Sequence, residues 1–362
     1  MRTNAWPISN ITGHMPRTAI TFTTPSRLPL APLMLTGIEV EAEAVDINDR
    51  RFFSASGWDT HNDASLRNGV EFVLSSPLGG ENLGSAIDGL YDHQDVCRFA
   101  PSPRAGTHIH INVSDKTWGT VQVIFALIYC LDRVLFNWAG VDRMWCSYCN
   151  SLNTMPLDSI VRLLQNGEHP YVPSLWSTGA NDRYYGLNVA SVWKHGTLEF
   201  RHFPTTTNKE ELWSWVDFCH AVSMYADEVV AQHDPNSEAS IVEAVLRDAS
   251  QPEILLLRIF DKAPAVLEGL TSEEGWQQHI SSAAEELELL LSADFMNTDH
   301  EYEHDPAALC APEEFPTRPA IIRREAAWRD LSSNGDATTM GWGWPLTPEY
   351  LSNGAAIGEM HN

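Results

Sequence analysis

The segment that decides the fold is GIEVEAE, residues 37–43. Apolar and acidic residues alternate in it, and successive side chains of a β-strand point to opposite faces of a sheet. A strand here places Glu39, Glu41 and Glu43 on one face and small or branched apolar residues on the other. The pattern therefore predicts a strand with one face for the core and one face carrying carboxylates.

Three further segments alternate in the same way: NGVEFVL at 68–74, HIHINV at 108–113 and TLEFR at 197–201. Their polar faces carry Glu71, then His108 with His110, then Glu199 with Arg201. Each segment has the composition of a strand that is buried on one side only. The four segments together predict a sheet with one apolar face and one face of acidic and imidazole side chains.

Composition restricts the classes of protein that this chain can be. The 362 residues are 43% hydrophobic and 20% charged, which is typical of a globular protein, and 48 acidic against 23 basic residues leave a net charge of −25. Such a surface repels phosphate backbones, so we expect no nucleic-acid partner. The most apolar stretch, residues 123–131, is far shorter than the ~20 residues of a membrane span, so we expect none. Six cysteines are too few for a disulfide scaffold, and we expect a cytoplasmic protein.

Helical patterns separate and follow the strands. Residues 121–138 are apolar on nearly all sides, which predicts a buried helix. Asn208 followed by Glu211 predicts a capping box at the start of a long helix. Further helices are predicted at residues 156–166, 240–249, 252–260, 272–291 and 321–331. Strands without a regular βαβ alternation predict an α+β fold with a mainly antiparallel sheet.

The polar strand faces also predict a chemistry. They offer five carboxylates, two histidines, one asparagine and one arginine, and no lysine. Converging like charges cost about 1 kcal/mol per pair in water and several times more in a partly dry cleft, so cations must offset them. Oxygen ligands with an occasional imidazole suit Mg²⁺ or Mn²⁺, which present nucleotide phosphates. Since the sequence contains no glycine-rich phosphate-binding motif, basic side chains must help to hold a nucleotide, and the candidates are Arg67, Arg104, Arg183 and Arg201.

In this order and chemistry the motifs resemble those of the carboxylate-amine ligase superfamily, which includes glutamine synthetase and γ-glutamylcysteine synthetase, and most closely its amidoligase branch. The resemblance spans residues 34–203. The motifs that carry it are GIEVE at 37–41, DAS at 63–65, GVE at 69–71, SP at 76–77, GTHIH at 106–110, RY at 183–184 with Asn188, and TLEFR at 197–201.

The resemblance implies a funnel-shaped antiparallel sheet with flanking helices that binds ATP and Mg²⁺. The reaction implied is an ADP-forming ligation in which a carboxylate and an amine are joined through an acyl phosphate. We accordingly divide the chain into an N-terminal arm at 1–30, an amidoligase-like catalytic domain at 31–295 and a polar extension at 296–362. The sheet core of the domain is expected at 31–205 and its helical part at 206–295.

The resemblance also implies roles for individual residues. Glu39, His108 and Glu199 would hold the metal that bridges the ATP phosphates, and Glu41 and Glu71 the metal near the carboxylate substrate. These five form the implied metal-ligand set.

Three further residues receive roles outside that set. Arg201 would stabilise the transferring phosphoryl group, Arg183 would contact phosphate or carboxylate, and His110 would support the site or the nucleotide. The implied catalytic set is Glu71, His108, Glu199 and Arg201. The roles of Glu43, Asp63, Ser65, Tyr184 and Asn188 stay open.

Two alternative functions remain open at this point. A phosphoryl transferase related to guanidino kinases would use a similar metal-lined sheet. The segment HEYEH at 300–304 fits the HExxH pattern of zinc metalloproteases, although its acidic, proline-flanked surroundings favour a solvated loop. For the ligase we expect small-molecule or peptide carboxylates and amines as partners. The sequence leaves their identity and the oligomeric state open.

Overall fold

The computed structural model confirms an α+β fold with one six-stranded antiparallel sheet and ten α-helices among the residues that it describes. The described residues are 3–14, 34–43, 57–63, 66, 69–92, 105–140, 143, 148–165, 184–234, 237 and 240–292. They lie within one compact unit, Met1–Asn297. The HEYEH segment, the helix predicted at 321–331 and the polar extension lie outside the described residues, and the domain boundaries stay predictions.

All four predicted strands are present, and two short strands join them. The strands are β1 Thr36–Ala42, β2 Trp58–His61, β3 Val70–Leu74, β4 Gly106–Asn112, β5 Leu187–Asn188 and β6 Thr197–Pro204. Their order across the sheet is β2-β3-β1-β4-β6-β5. The four strands with polar faces are therefore direct neighbours, β3-β1-β4-β6, although they are far apart in the chain.

The ten described helices are α1 Ile8–Thr12, α2 Gly80–Asp92, α3 Trp118–Ala139, α4 Leu157–Leu164, α5 Ser191–His195, α6 Lys209–Gln232, α7 Val242–Ala249, α8 Pro252–Phe260, α9 Pro264–Leu270 and α10 Trp276–Leu291. Six of them lie near predicted positions, and the four others, α1, α2, α5 and α9, were not predicted. Short 3₁₀ helices lie at Thr3–Ala5 and Leu152–Thr154.

The start of α6 forms only one of the two hydrogen bonds of the predicted capping box. Asn208 Oδ1 accepts a hydrogen bond from the Glu210 N–H at 3.0 Å, which confirms the N-cap. The carboxylate of Glu211 does not return to the Asn208 N–H as a full box requires. It accepts from the Thr206 hydroxyl, and the Asn208 N–H donates to Thr206 Oγ1 at 2.9 Å. A nearby hydroxyl has thus taken the place of the reciprocal bond.

The apolar face of the sheet determines its register. Ile38, Val40, Ile109 and Phe200 on that face are at most 1% exposed. A one-residue slip would place the acidic face in this core, so the pairing is strongly specified.

The predicted buried helix is α3, which contacts β6 and the helices α6, α7 and α10. It has the length and hydropathy of a membrane span, but 94% of its most apolar window is buried inside the protein. The surface that a membrane-spanning helix presents to lipid is therefore covered by neighbouring elements here. Burial, rather than the short length of residues 123–131, is the observation that identifies α3 as a core helix.

Part of the predicted N-terminal arm packs into this same core. Ile8 is fully buried, and its N–H donates to the Lys116 carbonyl at 2.9 Å. The Trp118 N–H in turn donates to the Trp6 carbonyl at 2.8 Å. Residues 3–14 are thus fastened along the start of α3.

Strand β6 carries one extra residue where it pairs with β4. Between the paired positions Ile109–Phe200 and Thr107–Phe203, β4 advances two residues and β6 three. The extra residue forms a bulge at Arg201 and His202, which directs these neighbours to different surroundings. His202 enters the core, where its Nε2 lies 3.1 Å from Asp132 Oδ1.

We predict that Asp132→Ala lowers the free energy of unfolding by about 3–5 kcal/mol, measured by urea denaturation. Asp132 is fully buried, and besides His202 it accepts from the Ser151 hydroxyl and the Leu152 N–H. All three donors lose their acceptor in the variant. The exposed Asp261→Ala is the control and should stay within about 0.5 kcal/mol of the parent protein. A loss below about 1 kcal/mol for Asp132→Ala would contradict this account.

Candidate active site

The strand register gathers the predicted polar side chains on one patch of the sheet. The cross-strand pairs are Glu41 with Glu71, Glu39 with His108, and His110 with Glu199. Opposed residues on one face have Cβ atoms about 5 Å apart, so each pair can share one ion. All five residues predicted as metal ligands therefore lie in one continuous cluster.

His108 is the centre of this cluster. Its Nδ1 lies 3.1 Å from Glu39 Oε2 and 3.6 Å from Glu199 Oε1, while its Nε2 lies 3.8 Å from Glu41 Oε1. The ring is 3% exposed. One buried imidazole thus lies close to three carboxylates, those of Glu39 and Glu41 on β1 and that of Glu199 on β6.

His110 is held by hydroxyl groups on one side and faces Glu39 on the other. Its Nδ1 lies 3.0 Å from Thr197 Oγ1 and 3.4 Å from Ser191 Oγ, and its Nε2 lies 3.4 Å from Glu39 Oε1. The hydroxyl groups fix the orientation of the ring, as partners around metal-binding histidines commonly do. This geometry makes His110 a candidate ligand in addition to its predicted supporting role.

Glu199 is fully engaged at both oxygens. Oε2 accepts from the Asn188 amide at 2.6 Å, and Oε1 accepts from Nη1 of Arg201. The Arg201 guanidinium also donates from Nε to the Tyr148 carbonyl at 3.2 Å and lies 5.8 Å from the centre of the Tyr184 ring. Arg201 is therefore fixed beside the carboxylates, as predicted from its place two residues after Glu199.

A second arginine, Arg143, lies at the end of the same patch and was not predicted. It is 3% exposed and donates to the carbonyls of Ala105, at 3.2 Å, and Arg201, at 3.0 Å. A Cβ atom on Gly106 would stand 2.4 Å from Arg143 Nη2 and 3.2 Å from His108 Nε2. The glycine therefore leaves the space that the guanidinium occupies, and Arg143 holds the carbonyl that the β6 bulge frees.

Gly106 also connects β4 to the acidic face of β1. Its N–H donates to Glu41 Oε2 at 2.7 Å, and Glu41 is 7% exposed. This bond orients one carboxylate oxygen and leaves Oε1 toward His108. The GTHIH motif thus combines a close backbone approach with its two histidines.

Three groups of ligand atoms lie close enough together to hold an ion, with every atom within 4.8 Å of the others in its group. They are Glu39-Glu71-His108, Glu39-His110-Glu199 and Glu41-Asp63-Glu71. Asp63, whose role the sequence left open, joins the third group. Glu43 belongs to none of these groups among the described residues.

The electrostatics of the cluster are those of crowded carboxylates. Burial opposes ionisation of Glu199, but Arg201 and the two histidines lower its pKa to about 2. Burial also opposes ionisation of Glu39, yet hydrogen bonds with His108 and His110 hold its pKa well below the ordinary value of a glutamate. For Glu71, burial and then the negative charges of Glu39, Glu41 and Asp63 raise the pKa from 4.5 to about 8. The cluster thus holds more negative charge than its own cations neutralise.

This donor set fits Mg²⁺ or Mn²⁺. Carboxylate oxygens dominate it, one or two imidazoles complete it, and no described cysteine takes part. Burial and neighbouring negative charges raise the pKa of Glu71, and a cation beside this carboxylate would lower it again. The other predicted basic residues, Arg67, Arg104 and Arg183, lie outside the described residues, as does Ser65.

A cavity of about 270 Å³ opens beside Glu39 and His110. Its walls include the apolar residues Val73 and Pro77 and the exposed Lys194 at the end of α5. It continues the polar face of the sheet away from Glu41 and Glu71. The ion-binding groups therefore have room for a small molecule on the Glu39 side.

The fold and this cluster define an α+β protein with grouped carboxylates and imidazoles whose ligand atoms fit a divalent cation. Residues 81–223 match the family model described as "Putative amidoligase enzyme". The match confirms the resemblance to the amidoligase family, and the family description supports an amide-bond-forming ligase that acts on small molecules. No curated protein matches the chain.

The matched region contains only part of the cluster. It includes β4, which carries His108 and His110, and β6, which carries Glu199 and Arg201. Strands β1 and β3 both precede it. Strand pairing supplies the missing carboxylates, since β1 lies between β3 and β4. The site thus draws on a longer stretch of chain than the family match.

We predict that the metal-free protein loses thermal stability as pH rises toward 9, and that Mg²⁺ or Mn²⁺ restores it. A carboxyl group whose pKa is raised on folding stabilises the fold fully below its ordinary pKa of 4.5, and this contribution is lost as pH rises through about 8. The measurement is the melting temperature from pH 6 to 9 with chelator and with added metal.

Glu71→Gln isolates this effect, because a neutral amide replaces the carboxyl group while His110, whose pKa is also raised, is unchanged. The variant should lose less stability with pH than the parent protein. Parallel curves for the two proteins would contradict the account.

Proposed function

We propose that this protein is an ATP- and Mg²⁺-dependent ligase that joins a carboxylate to an amine and releases ADP and phosphate. The observation that carries the proposal is the convergence of Glu39, Glu41, Glu71 and Glu199 around His108. Phosphoryl transfer needs positioning and cations more than protein nucleophiles, and this cluster provides both. The family match supports the ligase class.

The proposed reaction has two balanced steps. A substrate carboxylate oxygen attacks the γ-phosphorus of ATP, so that a C–O–P linkage forms and ADP leaves with the electrons of the broken P–O bond. The amine then attacks the acyl carbon, phosphate leaves, and the amine loses a proton. Amide, ADP and phosphate are the products. We propose for the sheet the funnel architecture of glutamine synthetase, with the polar face lining the funnel.

The side chains of this chain would orient the reactants. Glu39, His108 and Glu199 would hold one Mg²⁺ ion and Glu41 and Glu71 would hold a second, and these ions would supply positive charge to the phosphate oxygens. Glu199 is held ready by Asn188, so its direction does not depend on a ligand.

Arginine charges complete the proposed arrangement. Arg201, fixed by Glu199 and the Tyr148 carbonyl, would face the transferring phosphoryl group, where positive charge stabilises the transition state. Arg143 would keep Arg201 in place through its carbonyl. The bulge of β6 is thus proposed as a support for catalysis.

The cavity beside Glu39 is proposed to take the nucleoside part of ATP. It adjoins the ligands proposed for the phosphate-bridging metal, and its apolar walls suit a base. Its volume, about 270 Å³, is below the usual range for small-molecule sites, so the phosphates would begin beside the exposed Lys194 and extend over the cluster. The carboxylate substrate would then approach from the Glu41 and Glu71 side.

We predict that Glu39→Gln, Glu71→Gln, Glu199→Gln and Arg201→Ala each reduce turnover by about 100-fold or more while the fold is kept. Each change removes one ligand or one charge at the phosphoryl group. The assay is ADP release in a screen of mixed carboxylates and amines, followed by mass spectrometry for a product that has lost water on joining. Circular dichroism and thermal melting check the fold.

The matched control is Glu210→Gln, an exposed carboxylate at the start of α6 that should leave turnover unchanged. Full ADP release by Glu199→Gln would refute the assignment. A stable phosphorylated acceptor, formed without an amine, would instead identify a phosphotransferase.

A further inference from the structure

The cavity beside Glu39 has a wall that comes from outside the family match. His14 lines it together with Lys194 and His195, the last two residues of α5. Residues 3–14 lie well before residue 81, where the match begins. The cavity is therefore completed by a segment that precedes the family match.

Residues 3–14 are fixed in place by backbone contacts and by burial. Besides the bonds of Ile8 and Trp118 described above, Asn4 is 4% exposed and packs on Gly119. A Cβ atom on Gly119 would stand 2.9 Å from the Asn4 carbonyl oxygen, so only glycine permits this approach. The segment is thus a fitted part of the domain and brings its last described residue, His14, to the cavity.

His14 is oriented by α5, the helix that also brings Lys194 and His195 to this cavity. Its Nε2 lies 2.6 Å from the Trp193 carbonyl oxygen in α5, and since a carbonyl only accepts, Nε2 must donate. In the neutral ring Nδ1 is then an acceptor. The imidazole can accept a hydrogen bond from a hydroxyl or amino group of a bound ligand.

The charge of this wall differs from that of the protein as a whole. The chain carries a net charge of −25, yet the charged residues that line the cavity are one carboxylate, Glu39, and one ammonium, Lys194, among the described residues. Glu39 is already engaged by His108 and His110. Lys194 makes no ion pair with any described residue, so its charge is available for an anion.

We propose that residues 3–14 complete the nucleotide-binding cavity, with His14 and Lys194 as specificity-determining residues. Lys194 binds the phosphates of the nucleotide, and His14 accepts a hydrogen bond from its nucleoside. The proposal rests on the proposed function, because it takes ATP as the occupant of the cavity. It adds that the N-terminal segment decides how tightly this chain binds the nucleotide.

The test is the binding of a non-hydrolysable ATP analogue with Mn²⁺ to the full chain, measured by calorimetry. His14→Ala and Lys194→Ala should each raise Kd by about tenfold or more, the effect of one lost hydrogen bond or charge contact. Repeating the titration with ADP and AMP separates the two roles. The loss for Lys194→Ala should shrink as phosphates are removed, and the loss for His14→Ala should stay constant.

His279→Ala and Lys262→Ala are the matched controls, because they remove the same side chains from α10 and from the exposed turn after α8. Both should bind the analogue like the parent protein. Since Lys194 is exposed, its replacement leaves the core intact. Hydrogen exchange of the amides of residues 3–14 supplies a readout without any substitution, and the analogue should slow it.

The outcomes separate this proposal from the one on which it rests. If the parent protein binds the analogue but neither variant loses affinity and exchange in residues 3–14 is unchanged, the N-terminal segment is not part of the site and the ligase assignment stands. If the parent protein binds no nucleotide with Mn²⁺, the proposed function itself fails. A loss for both variants with slowed exchange supports the proposal.

Discussion

Mutual repulsion of carboxylates on one face of a sheet is the constraint on which the rest of this structure depends. Glu39, Glu41 and Glu71 lie on two adjacent strands, and Glu199 closes the patch from β6. Histidines and one arginine reduce the repulsion, yet burial and then the charges of Glu39, Glu41 and Asp63 still raise the pKa of Glu71. Gathering like charges in a partly buried place costs free energy. The fold therefore has to be strong elsewhere, and the apolar layer behind the sheet provides that strength.

Packing on the apolar face of the sheet determines the arrangement of side chains on the polar face. Because α3 and its neighbours bury the apolar face almost completely, the strands cannot shift by one residue without placing charges in the core. The same register sets Glu39 opposite His108 and His110 opposite Glu199. Precision in the site thus arises from packing on the other side of the sheet. The apolar face supports the whole sheet, whereas the candidate site uses only the alternate residues that lie on the opposite face.

Alternation predicted four of the six described strands and the faces of their side chains correctly, since a strand repeats every two residues whatever its partners are. Helix α3 was equally predictable from its apolar sides. Strand order was not, because it depends on contacts far apart in the chain, and the bulge in β6 changes the period at Arg201 without a local signal. Arg143 was missed and the role of Asp63 was left open because both residues lie outside the α-helices and strands, where no periodic pattern fixes the direction of a side chain. The one hint was Gly106, a glycine at the start of a strand, which commonly marks a close approach. His14 lies in the segment that was predicted to be an N-terminal arm, whereas Ile8 of that segment is fully buried.

The bulge in β6 places two adjacent residues in two different environments. Arg201 faces the ionic cluster, and His202 meets Asp132 in the dry interior. The dipeptide Arg201-His202 therefore connects the candidate active site to the hydrophobic core. On the proposed function, substrate preference can vary through the walls around the sheet, but a change at this junction would disturb the candidate site and the folding together. Laboratory efforts to alter substrate choice would do best to begin at the cavity rim and leave this junction as it is.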